Sequence, residues 1–273
     1  MKAIVYQAIC KKFKGNAQWA VDHVQAEIKE GEFITILGSS GCGKTTLLKM
    51  TNRLIEPTEG KVILFGEDIG TVDPVVVRRR MGYVIQQVGL FPHMTIEENI
   101  AAIPKILKWE PERTAARVTE LLELVGLDPE QYRRRYPGQL SGGQQQRIGL
   151  ARALATDPKI MLLDEPFGAI DAITRLNLQN ELKRIHGGTN KTFLLVTHDI
   201  NEAFKLGSRV MIMNEGRLLQ FDTPEEIIRH PADPFVEMLI CSAREQESFW
   251  ESAFAISGEA PELSRNIQGE NGV

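Results

Sequence analysis

A continuous apolar segment that ends in a glycine-rich loop constrains this chain more than any other feature. Residues 33–37 (Phe-Ile-Thr-Ile-Leu) have the composition of a strand that is covered on both faces of a parallel sheet. Residues 44–54 predict a helix. The strand is joined to this helix by a loop, and the loop together with the first helical residues comprises Gly38, Ser39, Ser40, Gly41, Cys42, Gly43, Lys44, Thr45 and Thr46. This order predicts an α/β core with a phosphate-binding site at the end of the strand.

The P-loop (residues 38–46) has the residues needed to hold a nucleoside triphosphate. Its glycines let backbone N–H groups turn inward around phosphate oxygens, and the start of the helix adds a positive dipole end. Lys44 is placed to reach the β- and γ-phosphates, and the Thr45 hydroxyl to bind Mg²⁺. The alternative is a chance match in a glycine-rich turn, and the flanking strand and helix argue against it. We therefore expect ATP and Mg²⁺ as ligands, and we expect alkylation of the Cys42 thiol to block ATP binding.

A second apolar strand, at residues 160–163, ends in the sequence Asp164-Glu165-Pro166. Ligands gather at the carboxyl ends of parallel strands. Asp164 is expected to hold Mg²⁺ through water, and Glu165 to accept a proton from an attacking water. In isolation, such a pattern is also that of a strand edge with solvated charges. The P-loop upstream favours the catalytic interpretation.

A third motif, Leu140-Ser141-Gly142-Gly143-Gln144, has the form of a helix capping box. A helix start with two glycines is a second anion site in the same chain. A simple helix cap is the alternative, but the full five-residue string is far more specific than Ser-x-x-Gln. Its chemistry makes sense if it meets a nucleotide that is held by another copy of the chain.

The remaining pattern predicts an α/β core interrupted by helices. Short alternating runs at residues 3–6, 24–28 and 62–65 predict antiparallel strands, and the stretch from about 90 to 157 is helical in period. Buried-type strands follow at residues 160–163, 193–196 and 210–213, and a hairpin turn follows the last of them.

Composition excludes several functional classes. The formal net charge of -4 over 273 residues provides no broad basic field, so general nucleic-acid binding is not favoured. Three separated cysteines without a CxxC pair argue against disulfides and against a zinc site. No apolar run approaches the roughly 20 residues of a membrane helix, and the short apolar N-terminus does not resemble a signal peptide. A cytoplasmic chain is expected.

These motifs, in this order, resemble those of the nucleotide-binding subunit of an ABC transporter over about residues 2–240. The resemblance implies a P-loop NTPase core with an antiparallel β subdomain and an inserted α-helical subdomain at about 90–157. It also implies a partly disordered C-terminal extension at 241–273. In that family the Leu-Ser-Gly-Gly-Gln string faces the γ-phosphate bound by the opposite protomer. Two copies would therefore associate head to tail around two ATP molecules.

The same resemblance implies roles for residues outside the three motifs. Gln86 would contact Mg²⁺, sense the nucleotide and lie next to the membrane partner. Asp171 would lie in the loop that crosses the dimer interface. His198 would be a switch residue near the γ-phosphate and would complete a catalytic set with Lys44 and Glu165.

The resemblance also implies an aromatic residue that stacks on adenine. This residue is Phe13 by the resemblance, and Trp19 is the alternative.

Three stretches, at residues 50–57, 82–94 and 141–147, are similar to importers of quaternary amine osmolytes such as glycine betaine, carnitine or choline. The likeness implies a pair of permease subunits in the inner membrane, an external substrate-binding protein and a peripheral location on the cytoplasmic face. Many relatives carry C-terminal regulatory modules. Only some thirty residues follow the core here, so we expect the chain to lack those modules.

Other functions share part of this motif set. An importer of another small solute, such as an amino acid, would carry the same motifs. A soluble ABC ATPase of DNA repair needs a long coiled coil between Gln86 and Leu140, and this interval is too short. A P-loop kinase or GTPase would lack the Leu-Ser-Gly-Gly-Gln string. Two arginine trios, at 78–80 and 133–135, are interpreted as solvated faces rather than as docking sites for the permease or anionic lipid.

Overall fold

The computed structural model describes residues 1–85, 89–168 and 170–257, with the backbone alone for residues 246–257. The strands are β1 (Lys2–Lys11), β2 (Val21–Lys29), β3 (Phe33–Gly38), β4 (Glu59–Leu64), β5 (Glu67–Asp68), β6 (Met81–Val84), β7 (Ile160–Asp164), β8 (Thr192–Val196), β9 (Arg209–Asn214) and β10 (Arg217–Asp222). The α-helices are α1 (Lys44–Thr51), α2 (Pro74–Arg79), α3 (Ile96–Ile106), α4 (Pro111–Leu124), α5 (Pro129–Tyr132), α6 (Gly142–Leu154), α7 (Ala172–Gly187), α8 (Ile200–Leu206), α9 (Pro224–Arg229) and α10 (Pro234–Ser257).

The main sheet has the strand order β10-β9-β3-β8-β7-β6. Its strands from β9 to β6 pair in parallel, and β10 pairs antiparallel with β9 at the edge. Every residue of β3, β7 and β8 is buried, which explains why these strands are apolar throughout rather than alternating. The parallel arrangement brings the carboxyl ends of β3, β6, β7 and β8 to one edge of the sheet.

A smaller antiparallel sheet has the order β2-β1-β4-β5. Residues from its inner face, including Ile4 and Tyr6, share a buried cluster with Ile34 and Ile36 of the main sheet. The turn between β9 and β10 joins the two sheets beneath the P-loop. There the Gly216 N–H donates to the Cys42 carbonyl at 3.1 Å, and the Asp22 N–H donates to the Gly216 carbonyl at 2.8 Å.

Helices α3 to α6 lie between β6 and β7 in the chain and pack on one another around a second buried cluster. Two of them begin at complete capping boxes. Thr95 pairs with Glu98 at the start of α3, and Ser141 pairs with Gln144 at the start of α6. Helix α6 crosses from this group to the main sheet, where it contacts β6 and α7.

Several elements differ in extent from the sequence expectation. The helix after the P-loop ends at Thr51 rather than at residue 54, because Arg53 has a φ of 55° and the Leu54 and Ile55 N–H groups both donate to the Lys49 carbonyl. Strand β6 was not predicted. The boundary expected at residue 240 falls inside α10, which continues to Ser257, and residues 258–273 lie outside the described part of the chain.

Candidate functional site

The P-loop has a backbone conformation that depends on glycine. Gly43 caps α1 with a φ of 101°, in the left-handed region, and a Cβ there would lie 2.1 Å from the Ala20 carbonyl oxygen. A side chain at this position would therefore displace the loop from β2. Because α1 begins at the next residue, its first N–H groups point along the loop toward the space above it.

Lys44 lies within the loop rather than on its surface. Its side chain is 5% exposed, and the ammonium group donates to the Gly38 and Ser39 carbonyls, each at 2.9 Å. These bonds hold the cation at the mouth of the loop. An anion that enters the loop therefore meets a charge that is already positioned and largely desolvated.

The Thr45 hydroxyl meets the carboxylate at the end of β7. It donates to Asp164 Oδ1 at 2.7 Å, and the Tyr83 hydroxyl donates to Asp164 Oδ2 at 3.3 Å. Burial, together with the Asp164 charge, raises the pKa of Tyr83, so its phenol remains a donor. Hydroxyl and carboxylate oxygens are the ligands that Mg²⁺ prefers, and this donor set fits that ion. Gln86, the remaining predicted Mg²⁺ contact, lies outside the described residues.

Glu165 follows Asp164 in a conformation that turns its side chain away from the sheet. Its φ is 47°, a strained value for a non-glycine residue, and its N–H donates to the Val196 carbonyl at 3.1 Å. This turn places Glu165 Oε2 3.6 Å from His198 Nδ1. The structure thus brings together two side chains that are 33 positions apart in the sequence, since strands β7 and β8 are neighbours.

Behind these two residues is a buried polar network that the sequence analysis did not identify. Glu202 accepts a hydrogen bond from the Thr197 hydroxyl at 2.6 Å and another from Gln179 Nε2 at 3.2 Å, and Arg175 lies 3.9 Å away. Thr197 immediately precedes His198, so the network fixes the backbone that carries the histidine. The sequence did contain a signal for this network. Glu202 follows His198 by four residues, and a helix that begins between them turns the Glu202 side chain back toward the end of the strand.

The Glu202 network predicts a pH-dependent stability. Burial raises the pKa of Glu202, and the nearby Asp199 charge adds to the shift. A carboxyl with a raised folded-state pKa stabilises the fold at low pH, and this contribution is lost as pH rises through the folded pKa. We expect Glu202→Gln to increase the melting temperature relative to the unmodified chain, with the difference growing between pH 5 and pH 8. Calorimetry at several pH values measures the difference in melting temperature. A difference that shrinks with rising pH would contradict a raised pKa for Glu202.

An open cleft of about 560 Å³ lies beside the P-loop and is lined by Ser39, Ser40, Gly41 and Cys42 on one side. Trp19, Asp22 and Arg217 are among the residues on the other side. Phe13 is not among the residues that line this cleft. Phe13 is 39% exposed, and the Lys11 ammonium group lies 5.3 Å from the centroid of its ring. The geometry therefore favours Trp19, the alternative aromatic residue, as the nearer wall of the cleft.

The environment of Cys42 changes the expectation for thiol chemistry. The side chain is 3% exposed, and burial raises the pKa of its thiol despite the neighbouring Lys44 charge. Since the thiolate is the reactive form, we expect alkylation of Cys42 at neutral pH to be slow. The expected block of ATP binding by alkylation thus needs either alkaline pH or transient opening of the loop.

We expect iodoacetamide at pH 7.5 to label the exposed Cys241 at least about ten times faster than the buried Cys42. Raising the pH should accelerate labelling of Cys42, because more of its thiol ionises. Peptide mass spectrometry over time measures both rates in one sample. Equal rates at pH 7.5 would show that the Cys42 thiol is accessible and ionised.

The Leu-Ser-Gly-Gly-Gln string lies at the start of α6, with Gly142 exposed and Gly143 buried. A Cβ on Gly143 would lie 2.4 Å from Thr174 Cγ2. Thr174 is also the residue whose N–H donates to Asp171, the cap of α7, at 3.0 Å. Hydrogen bonds from the backbone and the side chain of Thr174 lower the pKa of Asp171. The close packing of Gly143 on Thr174 thus places the start of α6 next to the start of α7, which Asp171 caps.

Within the described part of the chain, no hydrogen bond or ion pair joins Ser141 or Gln144 to the P-loop. Ser141 and Gln144 bond each other, and Gln144 Nε2 donates to the Tyr132 hydroxyl at 3.0 Å.

The two arginine trios differ in their surroundings. Arg133 donates to the Thr119 hydroxyl at 2.8 Å and lies 3.5 Å from Glu97, and Arg135 stacks on Tyr132. This trio thus helps to hold the helical region together. Arg78 and Arg79 line a separate cavity of about 410 Å³, together with the exposed apolar residues Val75, Phe91 and Ile103.

No helix among residues 1–85, 89–168 and 170–257 has both the length and the apolar character to span a bilayer.

A family model described as ABC transporter matches residues 21–168. The chain is 53% identical over 238 residues to the glycine betaine/carnitine/choline transport ATP-binding protein of Bacillus subtilis, covering 87% of this chain and 62% of that protein. It is 46% identical over 233 residues to the glycine betaine uptake system ATP-binding protein of Escherichia coli, covering 85% of this chain and 75% of that protein. The chain therefore spans less than two thirds of the first of these relatives.

A solved structure extends the comparison to three dimensions. A dimeric ATP-binding cassette in a post-hydrolysis state, bound to ADP and Pi, superposes with a TM-score of 0.72 at 36% identity. The match covers 81% of this chain and 98% of the cassette.

Proposed function

This chain belongs to the ABC transporter family, and on that premise we propose that it is the ATP-hydrolysing subunit of an importer for quaternary ammonium osmolytes. One observation carries the ATPase part of the proposal. The P-loop cation, the Thr45–Asp164 oxygen pair and the Glu165–His198 pair all meet at the carboxyl ends of neighbouring strands. This is the arrangement that phosphoryl transfer to water requires.

The residues of the site have separate roles in the proposed reaction. The P-loop N–H groups and Lys44 bind the β- and γ-phosphates of ATP and offset the charge that develops on them. Mg²⁺ held near Thr45 and Asp164 would supply further charge neutralisation at the phosphates. Glu165 orients the attacking water and accepts its proton, and His198 positions the γ-phosphate next to it. The Trp19 side of the cleft, or Phe13 after a movement of its loop, covers the adenine.

The second half of the site comes from another copy of the chain. The exposed helix start at Ser141 and Gly142 is an anion site that its own P-loop does not use. In a head-to-tail dimer, the start of α6 from each protomer meets the γ-phosphate held by the other protomer, and Asp171 lies at the same interface. ATP then stabilises the closed dimer, and hydrolysis weakens it, which converts binding energy into opening and closing.

The dimer is tested by mixing two inactive variants. Lys44→Ala removes the phosphate-binding cation, and Gly142→Arg blocks the exposed helix start. A side chain is tolerated at Gly142, because a Cβ there has no atom within 4 Å. In a mixed dimer, one site combines the intact P-loop of the Gly142→Arg chain with the intact helix start of the Lys44→Ala chain. Random mixing therefore restores about one quarter of the sites.

Gly187→Arg is the matched control for Gly142→Arg, since a Cβ at Gly187 also has no atom within 4 Å. It should leave ATP hydrolysis near that of the unmodified chain. The proposal fails if light scattering detects mixed dimers with ATP while hydrolysis remains at the level of the separate variants.

A membrane permease is the proposed partner, and the 410 Å³ cavity is its proposed docking site. The cavity lies between α2, β6 and helices α3 and α6, and Tyr83 and Gly89 of its lining flank the segment that contains Gln86. Exposed apolar side chains surrounded by arginines suit an amphipathic segment with acidic groups. Through the Tyr83–Asp164 bond, a partner in this cavity would be connected to the proposed Mg²⁺ ligands.

We expect Ile103→Glu to prevent co-purification of the chain with its permease and to abolish ATP-driven uptake, because it places a charge among the apolar residues of the cavity. Ile106→Glu on the same helix is the control, since Ile106 is 58% exposed and does not line the cavity. Affinity purification from membranes and uptake into vesicles measure the two effects. Loss of co-purification with both variants, or with neither, would place the docking site elsewhere.

The osmolyte assignment is supported by the relatives named for glycine betaine, carnitine and choline transport. Uptake of labelled glycine betaine, carnitine and choline into vesicles that contain the assembled complex and an external substrate-binding protein is the direct test. Uptake of an amino acid instead would keep the ATPase proposal and replace its substrate. The same proposal places the chain at the cytoplasmic face of the membrane, held there by the permease.

A further inference from the structure

Outside the nucleotide site, three side chains from three neighbouring strands converge at one end of the antiparallel sheet. Cys10 lies on β1, His23 on β2 and Glu59 at the start of β4. One ligand atom of each residue lies within 4.8 Å of the ligand atoms of the other two. We propose that Cys10, His23 and Glu59 form a binding site for Zn²⁺ at the base of the loop that joins β1 to β2.

Irregular strand pairing brings these residues together. Cys10 is the register partner of Glu59, so their side chains lie on the same face of the sheet. On the other side, Ile9 pairs with Val24 and Lys11 pairs with Val21, which leaves Cys10 opposite both Asp22 and His23. Such a bulge redirects a side chain, and here it turns His23 toward the cysteine. The spacing of cysteines along the chain could not reveal this arrangement.

The immediate surroundings suit a thiolate and an imidazole as metal ligands. The backbone N–H of His23 donates to Cys10 Sγ at 3.2 Å, and the thiol donates to the Ala8 carbonyl at 3.6 Å, a bond that a metal ion on the sulfur would replace. The Asp22 carboxylate lies 2.7 Å from His23 Nδ1. A carboxylate in that position commonly fixes the tautomer of a metal-binding histidine and leaves Nε2 for the ion. The Glu59 side chain makes no ion pair or hydrogen bond with the rest of the described chain, so its carboxylate is available.

The donor set selects the class of metal. A set of one sulfur, one nitrogen and one oxygen ligand is typical of Zn²⁺, whereas Mg²⁺ and Ca²⁺ take oxygen ligands alone. The proposed site is therefore chemically distinct from the oxygen-only set at Thr45 and Asp164. It does not compete for the same ion.

The location gives the site a physical consequence. Cys10 and His23 stand at the two ends of residues 12–20, the loop that carries Phe13 and Trp19. Asp22, which contacts His23, also lines the nucleotide cleft and pairs with Arg217 at 2.8 Å. A bound Zn²⁺ would fasten the base of this loop and restrict the movement of both aromatic residues.

Co²⁺ titration of the full chain without nucleotide tests the site, because a cobalt–thiolate bond gives a charge-transfer absorption band that oxygen ligands do not give. We expect one Co²⁺ per chain to produce this band and Zn²⁺ to displace it. Cys10→Ser should abolish the band. His23→Gln and Glu59→Gln should each weaken Co²⁺ binding by about tenfold or more. Cys241→Ser, which alters an exposed cysteine, is the control and should retain the band.

Cys10 is fully buried, so Cys10→Ser could reduce stability, but His23 and Glu59 are exposed and their variants should fold normally. Hydrogen exchange of residues 12–20 provides a second measurement, and Zn²⁺ should slow it in the unmodified chain but not in His23→Gln. The proposal is overturned if the unmodified chain gives no thiolate band with Co²⁺. It is also overturned if the band persists unchanged in both His23→Gln and Glu59→Gln.

Discussion

Glu165→Gln is expected to reduce ATP hydrolysis by about 10²- to 10⁴-fold, because it removes the group that accepts the proton of the attacking water. The substitution keeps the shape of the side chain and leaves the Lys44 and Thr45 contacts untouched. ATP binding should therefore persist. With hydrolysis blocked, the dimer should remain closed around ATP, and light scattering in Mg-ATP should report twice the mass of a single chain.

Glu225→Gln is the matched control, since it makes the same chemical change at an exposed position early in α9. It should change neither hydrolysis nor the mass in solution. A Glu165→Gln chain that stays monomeric at saturating Mg-ATP would contradict the shared site. Retained hydrolysis would assign the proton acceptor to another residue.

Lys44→Ala is expected to weaken ATP binding by about 10²-fold or more, because the charged hydrogen bonds of this group to phosphate are each worth about 1.5–3 kcal/mol. The same change removes the donors that the Gly38 and Ser39 carbonyls now use. The P-loop should therefore lose order as well as charge. Isothermal titration with ATP measures the affinity, and thermal unfolding separates the two effects.

The control for this variant is Lys49→Ala, which removes a lysine from the last turn of the same helix. It should bind ATP as the unmodified chain does. If Lys44→Ala retained normal affinity, the ammonium group would act only within the loop and not on phosphate. Equal losses in both variants would indicate a general weakening of α1.

Much of this site was predictable from the sequence, because each motif combines a local fold with its own chemistry. The buried strand before Gly38 and the capping box at Ser141 both appear in the structure where the sequence placed them. A helix cap or a glycine-rich turn depends on residues that are close together in the sequence. The sequence could therefore predict the P-loop helix and the start of α6.

The contacts between segments were harder to predict. The Tyr83–Asp164 bond depends on β6, a four-residue strand that is too short to stand out by periodicity. The Glu202 network depends on three elements, β8, α7 and α8, meeting behind His198. The choice between Phe13 and Trp19 depended on the path of an exposed loop, which no residue pattern determines.

The turn at Gly216 limits which parts of the protein can move relative to one another. Gly216 bonds to Cys42 on one side and to Asp22 on the other, so backbone hydrogen bonds join the small sheet, the edge hairpin and the nucleotide loop. Relative motion among these three parts would break the Gly216 backbone hydrogen bonds in every cycle. We therefore expect the movement of a working cycle to occur in α3 to α6, as a rotation of these helices relative to the small sheet, the edge hairpin and the nucleotide loop.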